Sequence, residues 1–281
     1  MVCYNKGKGG DEMLNEYSFD DIYIRHAVDD DPDDKEFTMH IHEKCEIYFF
    51  ISGCVEYLVE GSKYPLEDNS LMIMRPAESH KPRVTGRGRY ERYAINFPVD
   101  FASTVDPEGR LTKAFTDRAL GQGNMFGPAE MDMGLVQTLL SQMCADGDDY
   151  SRRLTIKTHL LMLLDMISRA YSADAAAERD PKSVEERIVM YVNSHLSEDI
   201  SVPLLAEHFY LSASQFSRIF KQATGASPWE YITKKRLTAA KELIRSGHSA
   251  QGASESCGFR DYSVFYRAYM KHFGCAPKQD R

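Results

Sequence analysis

The spacing of apolar residues changes once along the chain, close to Pro107. Before this point, apolar runs of four to seven residues, rich in β-branched and aromatic types, alternate with turn-forming segments and predict short strands. The clearest runs are EIYFFISG, VEYLVEG, SLMIMRP and RYAINF. Several short strands at this spacing favour an antiparallel sandwich or barrel.

After Pro107 the apolar residues recur with helical spacing. LTKAFTDRAL, MDMGLVQTLLSQMCA and RRLTIKTHLLMLLDMISRAY predict three helices. The third has such a broad apolar face that it is either buried in its own domain or shared with a second subunit. The polar segment SADAAAERDPKS is typical of a linker. We therefore predict a barrel over 1–110, a helical extension over 111–171, a linker over 172–183 and a helical domain over 184–281.

The helical domain contains a repeat at an offset of 49 residues. The shift places similar residues on one another: Ser212 on Asp261, Ser214 on Ser263, Phe216 on Phe265, Arg218 on Arg267 and Gly225 on Gly274. Each copy predicts a capped helix of about three turns that ends at a glycine. A connecting helix over about 229–246 would be roughly 27 Å long, which suits two helices about one DNA turn (~34 Å) apart.

Each repeated helix has a polar face that carries one arginine. Arginine can donate two hydrogen bonds to a guanine, and the N-terminus of a helix interacts favourably with phosphate. A plain helical bundle or a protein-interaction module is the alternative. The candidate DNA-binding residues are Ser214, Gln215, Ser217, Arg218, Lys221, Arg260, Tyr262, Ser263, Tyr266 and Arg267.

LAEHFYLSASQFSRIFKQATGASPWEYITKKRLTAAKELI and GFRDYSVFYRAYMKHFG resemble the DNA-binding domain of AraC/XylS-type transcription regulators. The resemblance covers the helical domain and implies seven helices, with two helix-turn-helix units joined by one long helix and double-stranded DNA as the partner. The family's base-contacting positions map onto Ser214, Ser217 and Arg218, and onto Tyr262, Ser263, Tyr266 and Arg267.

In the first half, His40, His42 and Glu46 follow the order His-x-His-x3-Glu, with a glycine at position 53. This order resembles the first motif of the cupin barrels, and His80 stands where their later histidine lies. In metal-binding cupins these four side chains hold one ion, whereas AraC-type regulators commonly use the barrel as a metal-free pocket. Ala77 departs from the glycine of the second cupin motif. A metal-free pocket, a metal-containing sensor and purely structural histidines all remain open.

Three further residues are candidates for the same pocket. Arg75 would favour a hydroxyl-rich or anionic small molecule, because its guanidinium donates several hydrogen bonds in a fixed geometry; it could equally pair with a carboxylate. Tyr48 and Tyr93 are weaker candidates, since aromatic residues in barrel strands usually belong to the core.

Charge is unevenly distributed along the chain. Its net charge is −8, yet residues 182–281 contain 14 Lys and Arg against 10 Asp and Glu, a net of +4, which leaves −12 for residues 1–181. This asymmetry suggests two domains with different partners. The six cysteines form no C-x-x-C pair, and the sequence contains neither a signal peptide nor an apolar run of about 18 residues. We therefore expect a cytoplasmic protein with reduced thiols and no membrane partner.

Taken together, these features predict a multidomain α+β chain: an antiparallel β-barrel of the cupin or jelly-roll type with a helical extension, then an all-α double helix-turn-helix domain. The expected function is a sequence-specific transcription regulator that senses a small-molecule effector, a sugar or sugar derivative, and requires no cofactor. We expect a homodimer formed through residues 130–171. The alternative is a metal-dependent cupin enzyme, an isomerase or dioxygenase, with a divalent metal on His40, His42, Glu46 and His80.

Overall fold

The structure, a computed structural model, describes residues 12–171 and 183–280. Between residues 12 and 126, all of which the structure describes, there are nine strands. They are β1 (Glu12–Phe19), β2 (Ile22–Asp30), β3 (Cys45–Ser52), β4 (Val55–Val59), β5 (Ser62–Pro65), β6 (Ser70–Met74), β7 (His80–Val84), β8 (Arg89–Phe97) and β9 (Met125–Phe126). The predicted linker, apart from Ser183, lies outside the described residues.

The strands form two antiparallel sheets that face each other. The larger sheet has the order β1-β2-β8-β3-β6-β9, and the smaller has the order β5-β4-β7. Because side chains alternate along a strand, β3 has two different faces. Ile47 and Phe49 pack into the core beneath the helices, whereas Tyr48 and Phe50 face the smaller sheet. The predicted antiparallel barrel is therefore confirmed as a two-sheet sandwich.

The α-helices of the described residues all come after β8, and β9 lies between the first two of them. They are α1 (Lys113–Thr116), α2 (Met133–Met143), α3 (Asp149–Ala170), α4 (Val184–Ser194), α5 (Val202–His208), α6 (Ala213–Thr224), α7 (Pro228–Arg245), α8 (Ala250–Ser256) and α9 (Tyr262–Phe273). The broad apolar face of α3 is buried in its own domain, where Leu160, Leu164 and Ile167 pack with α2 against the larger sheet. Leu154, from the same predicted face, is half exposed.

The helix predicted over 111–120 is much shorter in the structure. Only one turn of α1 forms, and the chain then bends so that Arg118 points inward, where its Nε donates to the Ala114 carbonyl at 3.1 Å. A little further on, β9 pairs with β6, and Asn124 exchanges hydrogen bonds with the main chain of Ile73. The predicted helical extension therefore also contributes a strand, β9, to the sandwich. Its polar side chains Arg118 and Asn124 bind main-chain carbonyls instead of facing solvent.

The repeat predicted in the C-terminal half is confirmed. Helices α6 and α9 each contain 12 residues, begin at the caps Ser212 and Asp261, and end at glycines with positive φ. With α5 and α8 they form two helix-turn-helix units, which α7 connects. The first half of α7 packs in the core of the first unit, and its second half packs in the core of the second.

A buried arginine on α7 fastens the second unit to the first. Arg236 donates three hydrogen bonds to main-chain carbonyls: Nε to Leu196 at 2.7 Å, one terminal nitrogen to Glu198 at 2.7 Å, and the other to Gly258 at 2.8 Å. Gly258 has a φ of +82° and lies against the loop after α4. The two units are thus held together by polar contacts as well as by α7.

We expect Gly258→Ala to destabilise the helical half by about 1–3 kcal/mol, the cost of a strained φ at a residue with a side chain, plus the cost of a clash. An added Cβ would lie 2.9 Å from the carbonyl oxygens of Leu196 and Ser197. Gly274→Ala is the matched control: its φ is +73°, but an added Cβ meets no described atom within 4 Å. Urea unfolding of the full chain measures both; equal losses for the two variants would contradict a role for the contact.

Candidate DNA interface and ligand site

Helix α6 presents the predicted polar face to solvent. Its apolar residues Phe216 and Phe220 are fully buried, so the opposite side of the helix must face outward. Ser214, Arg218 and Lys221 on that side are exposed. Ser217, which the sequence also assigned to this face, is partly buried.

Helix α9 repeats this arrangement with larger side chains. Tyr262, Ser263, Tyr266 and Arg267 are exposed, while Phe265 beneath them is fully buried. The rings of Tyr262 and Tyr266 lie 6.3 Å apart, one helical turn from each other. Both helices therefore present a polar face with one arginine in the same position.

The two arginines are available for a partner. Within the described parts of the chain, no carboxylate lies within ion-pair distance of Arg218 or Arg267. Two other candidates are engaged in the chain itself. Gln215 Oε1 accepts from the Ser212 amide at 3.0 Å and so completes the N-cap of α6, and Arg260 forms an ion pair with Asp199.

The histidines and glutamate of the N-terminal motif come together between the two sheets. His42 Nε2 lies 2.9 Å from Glu46 Oε2, and His80 Nε2 lies 3.4 Å from the same oxygen. The ring of His40 is 5.9 Å from that of His80. Asn96 donates to Glu46 Oε2 at 2.8 Å and is fully buried. We call His40, His42, Glu46, His80 and Asn96 the histidine cluster.

The cluster has unusual protonation equilibria. Burial, together with the neighbouring His80, lowers the pKa of His40 to about 4, so this ring is neutral near pH 7. Burial alone would raise the pKa of Glu46, but the hydrogen bond with His42 and the nearby His80 imidazole outweigh burial and hold that pKa well below its usual range. Burial opposes and Glu46 favours the charged form of His80, with a net rise in its pKa. The cluster therefore combines a buried carboxylate, the neutral imidazole of His40 and a second buried imidazole, His80, whose pKa is raised.

The structure does not bring Arg75 or Tyr93 to the cluster. The Arg75 guanidinium donates to the Arg118 carbonyl at 2.9 Å, because the residue leaves β6 on the side of the helical extension. Tyr93 stacks on His26 at 4.0 Å on the opposite face of the larger sheet. Tyr48, by contrast, lies on the same face of β3 as Glu46, and its ring is 4.7 Å from that of Tyr57.

Sequence reasoning missed Asn96, although a signal for it exists. In the register of the sheet, Asn96 lies directly opposite Glu46, and the polar side chain interrupts the apolar run RYAINF. A polar residue inside an otherwise apolar strand needs a hydrogen-bond partner when it is buried. The pairing of β3 with β8 could not be read from the sequence, and so Asn96 had no visible partner.

The cluster also fits a divalent ion in its donor chemistry. The ligating atoms of His42, Glu46 and His80 all lie within 4.8 Å of one another. Two imidazole nitrogens and a carboxylate oxygen suit Zn, Fe, Mn or Ni. His40 is not part of this closest group. The geometry alone therefore leaves both a metal and a hydroxylated organic molecule as chemically reasonable occupants.

Comparison with protein families decides which class of protein carries this site. The model of the AraC-like ligand binding domain matches residues 26–164, and that of a helix-turn-helix domain matches residues 205–281. The chain belongs to the AraC family of transcription regulators. This AraC-family chain is a DNA-binding transcription regulator with a ligand-binding domain, and the resemblance noted in its sequence is confirmed.

Relatives of this AraC-family chain have regulatory names. It is 28% identical to the HTH-type transcriptional activator RhaS of Salmonella typhimurium over 254 residues, which cover 87% of each protein. It is 26% identical to LumQ, a probable transcriptional regulator of Photobacterium leiognathi, over 87% of this chain and 92% of that protein. The C-terminal domain of AraT, a response regulator from Geobacillus stearothermophilus, is 31% identical over 34% of this chain and 80% of that one, with a TM-score of 0.33.

Across residues 12–171 and 183–280, no helix is both long enough and apolar enough to cross a bilayer.

Proposed function

We propose that the chain is a sequence-specific regulator that reads double-stranded DNA with α6 and α9 and senses a small hydroxylated molecule, a sugar or sugar derivative, at the histidine cluster. The DNA-binding part rests mainly on one observation: two helices of equal length present Arg218 and Arg267 at equivalent, exposed positions. Exposed arginines on the outward faces of such helices are suited to base edges in successive major grooves. The proposal includes a cytoplasmic location, because the named relatives are regulators from bacteria, whose DNA lies in the cytoplasm.

The base-contacting set that we propose lies on the outward faces of α6 and α9 and includes the partly buried Ser217. Ser214, Ser217, Arg218 and Lys221 belong to the first unit, and Tyr262, Ser263, Tyr266 and Arg267 belong to the second. Gln215 and Arg260 are better suited to backbone phosphates than to bases, because the first completes a helix cap and the second is held by Asp199.

The chemistry of the histidine cluster supports a hydroxylated effector. Glu46 accepts hydrogen bonds only, whereas a neutral imidazole such as His40 both donates and accepts. Sugar hydroxyls also donate and accept, so they can satisfy both kinds of group at once. Buried polar groups of this kind give strong discrimination, because a ligand without the matching hydroxyl leaves them unpaired. Tyr48 and Tyr57 lie beyond the cluster on the same inner faces and provide aromatic surface.

We further propose that the chain acts as a homodimer through residues 130–171. Leu135 on α2 and Leu154 and Met162 on α3 are 40–51% exposed, although they are large and apolar. Such residues on adjacent helices are suited to a self-complementary contact between two copies. Sedimentation equilibrium of the chain and of Leu154→Lys tests this assignment; a wild-type monomer at micromolar concentration would contradict it.

The proposed function is tested in two steps with the purified full chain. In the first, the chain enriches duplexes from a random-sequence pool, and an enriched motif with two submotifs is expected. In the second, melting curves are recorded over a set of sugars and sugar acids, and a specific effector raises the melting temperature progressively, with the logarithm of its concentration at high occupancy. Metal analysis of the same sample identifies a resident ion. A tightly bound metal together with turnover of a sugar would favour a cupin enzyme instead.

We expect Glu46→Gln to lower the affinity for the effector found in that screen by about 10–150-fold, because a hydrogen bond to a charged group contributes about 1.5–3 kcal/mol. Titration calorimetry measures the change. Glu91→Gln is the matched control, since Glu91 Oε1 also lies 2.9 Å from a histidine, His26, but on the opposite face of the larger sheet. Equal weakening by both variants would show that the effector does not bind at the histidine cluster.

A further inference from the structure

Glu60 is a buried carboxylate through which the sandwich contacts the helical half. It occupies the tight turn between β4 and β5 and is 4% exposed. One oxygen accepts hydrogen bonds from Lys235 Nζ at 2.7 Å and from the Ser79 amide at 2.6 Å. The other accepts from Asn193 Nδ2 at 2.8 Å and from the Tyr231 hydroxyl. Donors from α4, α7 and the start of β7 therefore converge on one side chain.

The turn that carries Glu60 also fits closely against α4. A Cβ added at Gly61 would lie 2.9 Å from Val189 Cγ2, so the main chain of the turn touches the helix directly. On the other side, Lys235 Nζ donates to the Ala77 carbonyl at 2.8 Å. Removing one partner of such a buried pair leaves an uncompensated charge, which is strongly unfavourable. The two halves are thus held in one defined arrangement by a contact that is either formed or broken.

Two short segments contribute residues to the histidine cluster on one side and contact the helical half on the other. We call residues 39–43 and 77–81 the partition. Their main chains are joined, because the His40 amide donates to the His80 carbonyl at 2.8 Å and the His80 amide donates back at 3.0 Å. A shift in one segment therefore moves the other.

Side chains of the first segment alternate between the two sides, as in a strand. His40 and His42 belong to the histidine cluster. Met39 and Ile41, which alternate with them, are buried in the hydrophobic core of the first helix-turn-helix unit. Neighbouring residues on one short segment therefore contact the proposed effector site and the DNA-binding half.

The rest of the partition continues this alternation. Glu43 forms ion pairs with Lys241 at 2.9 Å and with Arg245, both on α7. In the second segment, His80 points into the histidine cluster while the amide of Ser79 is bound to Glu60. The partition thus contacts α7 near its middle and near its end, and α7 carries both reading units.

We propose that the partition and the Glu60 contact transmit occupancy of the histidine cluster to the DNA-binding half. The inference rests on the proposed function, since it requires both an effector and a DNA site. The element with two states is the docking of α7 on Glu60, formed or released. An effector that shifts His40, His42 or His80 changes the stability of the docked state, and DNA binding changes by the same free energy in the reciprocal direction.

The experiment uses DNA as the probe, because coupling between two sites is mutual. If the histidine cluster affects DNA binding, then bound DNA must also affect the partition. The probe is the duplex that the wild-type chain enriches from a random-sequence pool. Hydrogen–deuterium exchange of the full chain, with and without this duplex, is followed in peptides that cover the partition. We expect the duplex to change exchange there by about 5-fold or more in the wild type, the lower end of ordinary coupling between sites.

Glu60→Gln removes the charge and keeps the shape, so it is expected to abolish this response while the duplex still binds. Glu67→Gln, at an exposed carboxylate just after β5, is the control and should respond as the wild type does. If Glu60→Gln does not fold, the double variant Glu60→Gln/Lys235→Gln, which removes both charges of the pair, replaces it with the same expectation.

The outcomes separate this inference from the proposed function. A full wild-type response in the Glu60 variant overturns the transmission path. An unresponsive partition in a wild-type chain that binds its duplex does the same, and in both cases DNA binding stands. A wild-type chain that enriches no duplex overturns the proposed function and, with it, the inference.

Discussion

Loss of both Arg218 and Arg267 is expected to abolish specific DNA binding. Each replacement by alanine should weaken binding of the enriched duplex by about 1–3 kcal/mol and relax the sequence preference in its own submotif. The reason is geometric: both guanidiniums are exposed on equivalent faces of α6 and α9. Fluorescence anisotropy with the enriched duplex, and with duplexes mutated in one submotif at a time, measures both effects.

Arg169→Ala is the matched control for this experiment. Arg169 is an exposed arginine on α3 that forms an ion pair with Asp165. It belongs to the helical extension and not to either helix-turn-helix unit. Its loss should leave affinity and sequence preference unchanged. If Arg218→Ala and Arg267→Ala weaken specific and scrambled duplexes equally, the two arginines contact phosphates only, and the assignment of base contacts fails.

Arg118→Met is expected to destabilise the sandwich by about 3–5 kcal/mol, the usual cost of breaking a buried ion pair from one side. Arg118 and Glu78 are both fully buried. The guanidinium donates one hydrogen bond to each carboxylate oxygen, and the distance from Nη1 to Oε1 is 2.7 Å. Glu78 also accepts from the Gly121 and Arg75 amides at 2.8 and 3.0 Å. Thermal melting of the variant measures the loss.

Arg110→Met is the control, because its ion pair with Glu108 is exposed and such pairs contribute little. A double variant, Arg118→Met with Glu78→Gln, should recover part of the stability by removing the unpaired charge. Unchanged melting of Arg118→Met would contradict a structural role for the pair.

The same pair makes the sandwich sensitive to acid. Burial alone would raise the pKa of Glu78, but Arg118 and the hydrogen bonds from main-chain amides outweigh burial and lower it below 4.5. A carboxyl whose folded pKa is lowered contributes stability above its unfolded pKa and loses that contribution as the pH falls through the folded value. Unfolding free energy should therefore fall below about pH 4.5 in the wild type, and this part of the fall should be absent in a Glu78→Gln variant.

The helical half could be predicted from the sequence because its signals are local. The caps Ser212 and Asp261, the terminal glycines and the buried aromatic faces all lie within one helix length of each other. They fix the position, length and exposed face of α6 and α9 without knowledge of any distant contact. Four strands of the sandwich, β3, β4, β6 and β8, were predicted for the same reason, from turn residues and short apolar runs.

The polar interior of the molecule could not be predicted in this way. Glu78 and its partner Arg118 are 40 positions apart in the sequence, and Glu60 and its partner Lys235 are 175 positions apart. Nothing near either glutamate in the sequence marks it as buried. Tyr93 was assigned to the wrong face, because RYAINF is apolar on both sides and shows no alternation. Pairing of strands and docking of domains, which decide these contacts, have no local signature.

The attachment of both reading units to α7 has a consequence for the operator. Arg236 and the two cores hold the units rigidly, so the distance and the angle between α6 and α9 are fixed. One inserted base pair would rotate the second submotif by about 35° around the duplex axis, given about 10–10.5 base pairs per turn. If both units read DNA as proposed, promoters under control of this protein are expected to keep the phase between their two submotifs constant, even where the bases in between vary freely.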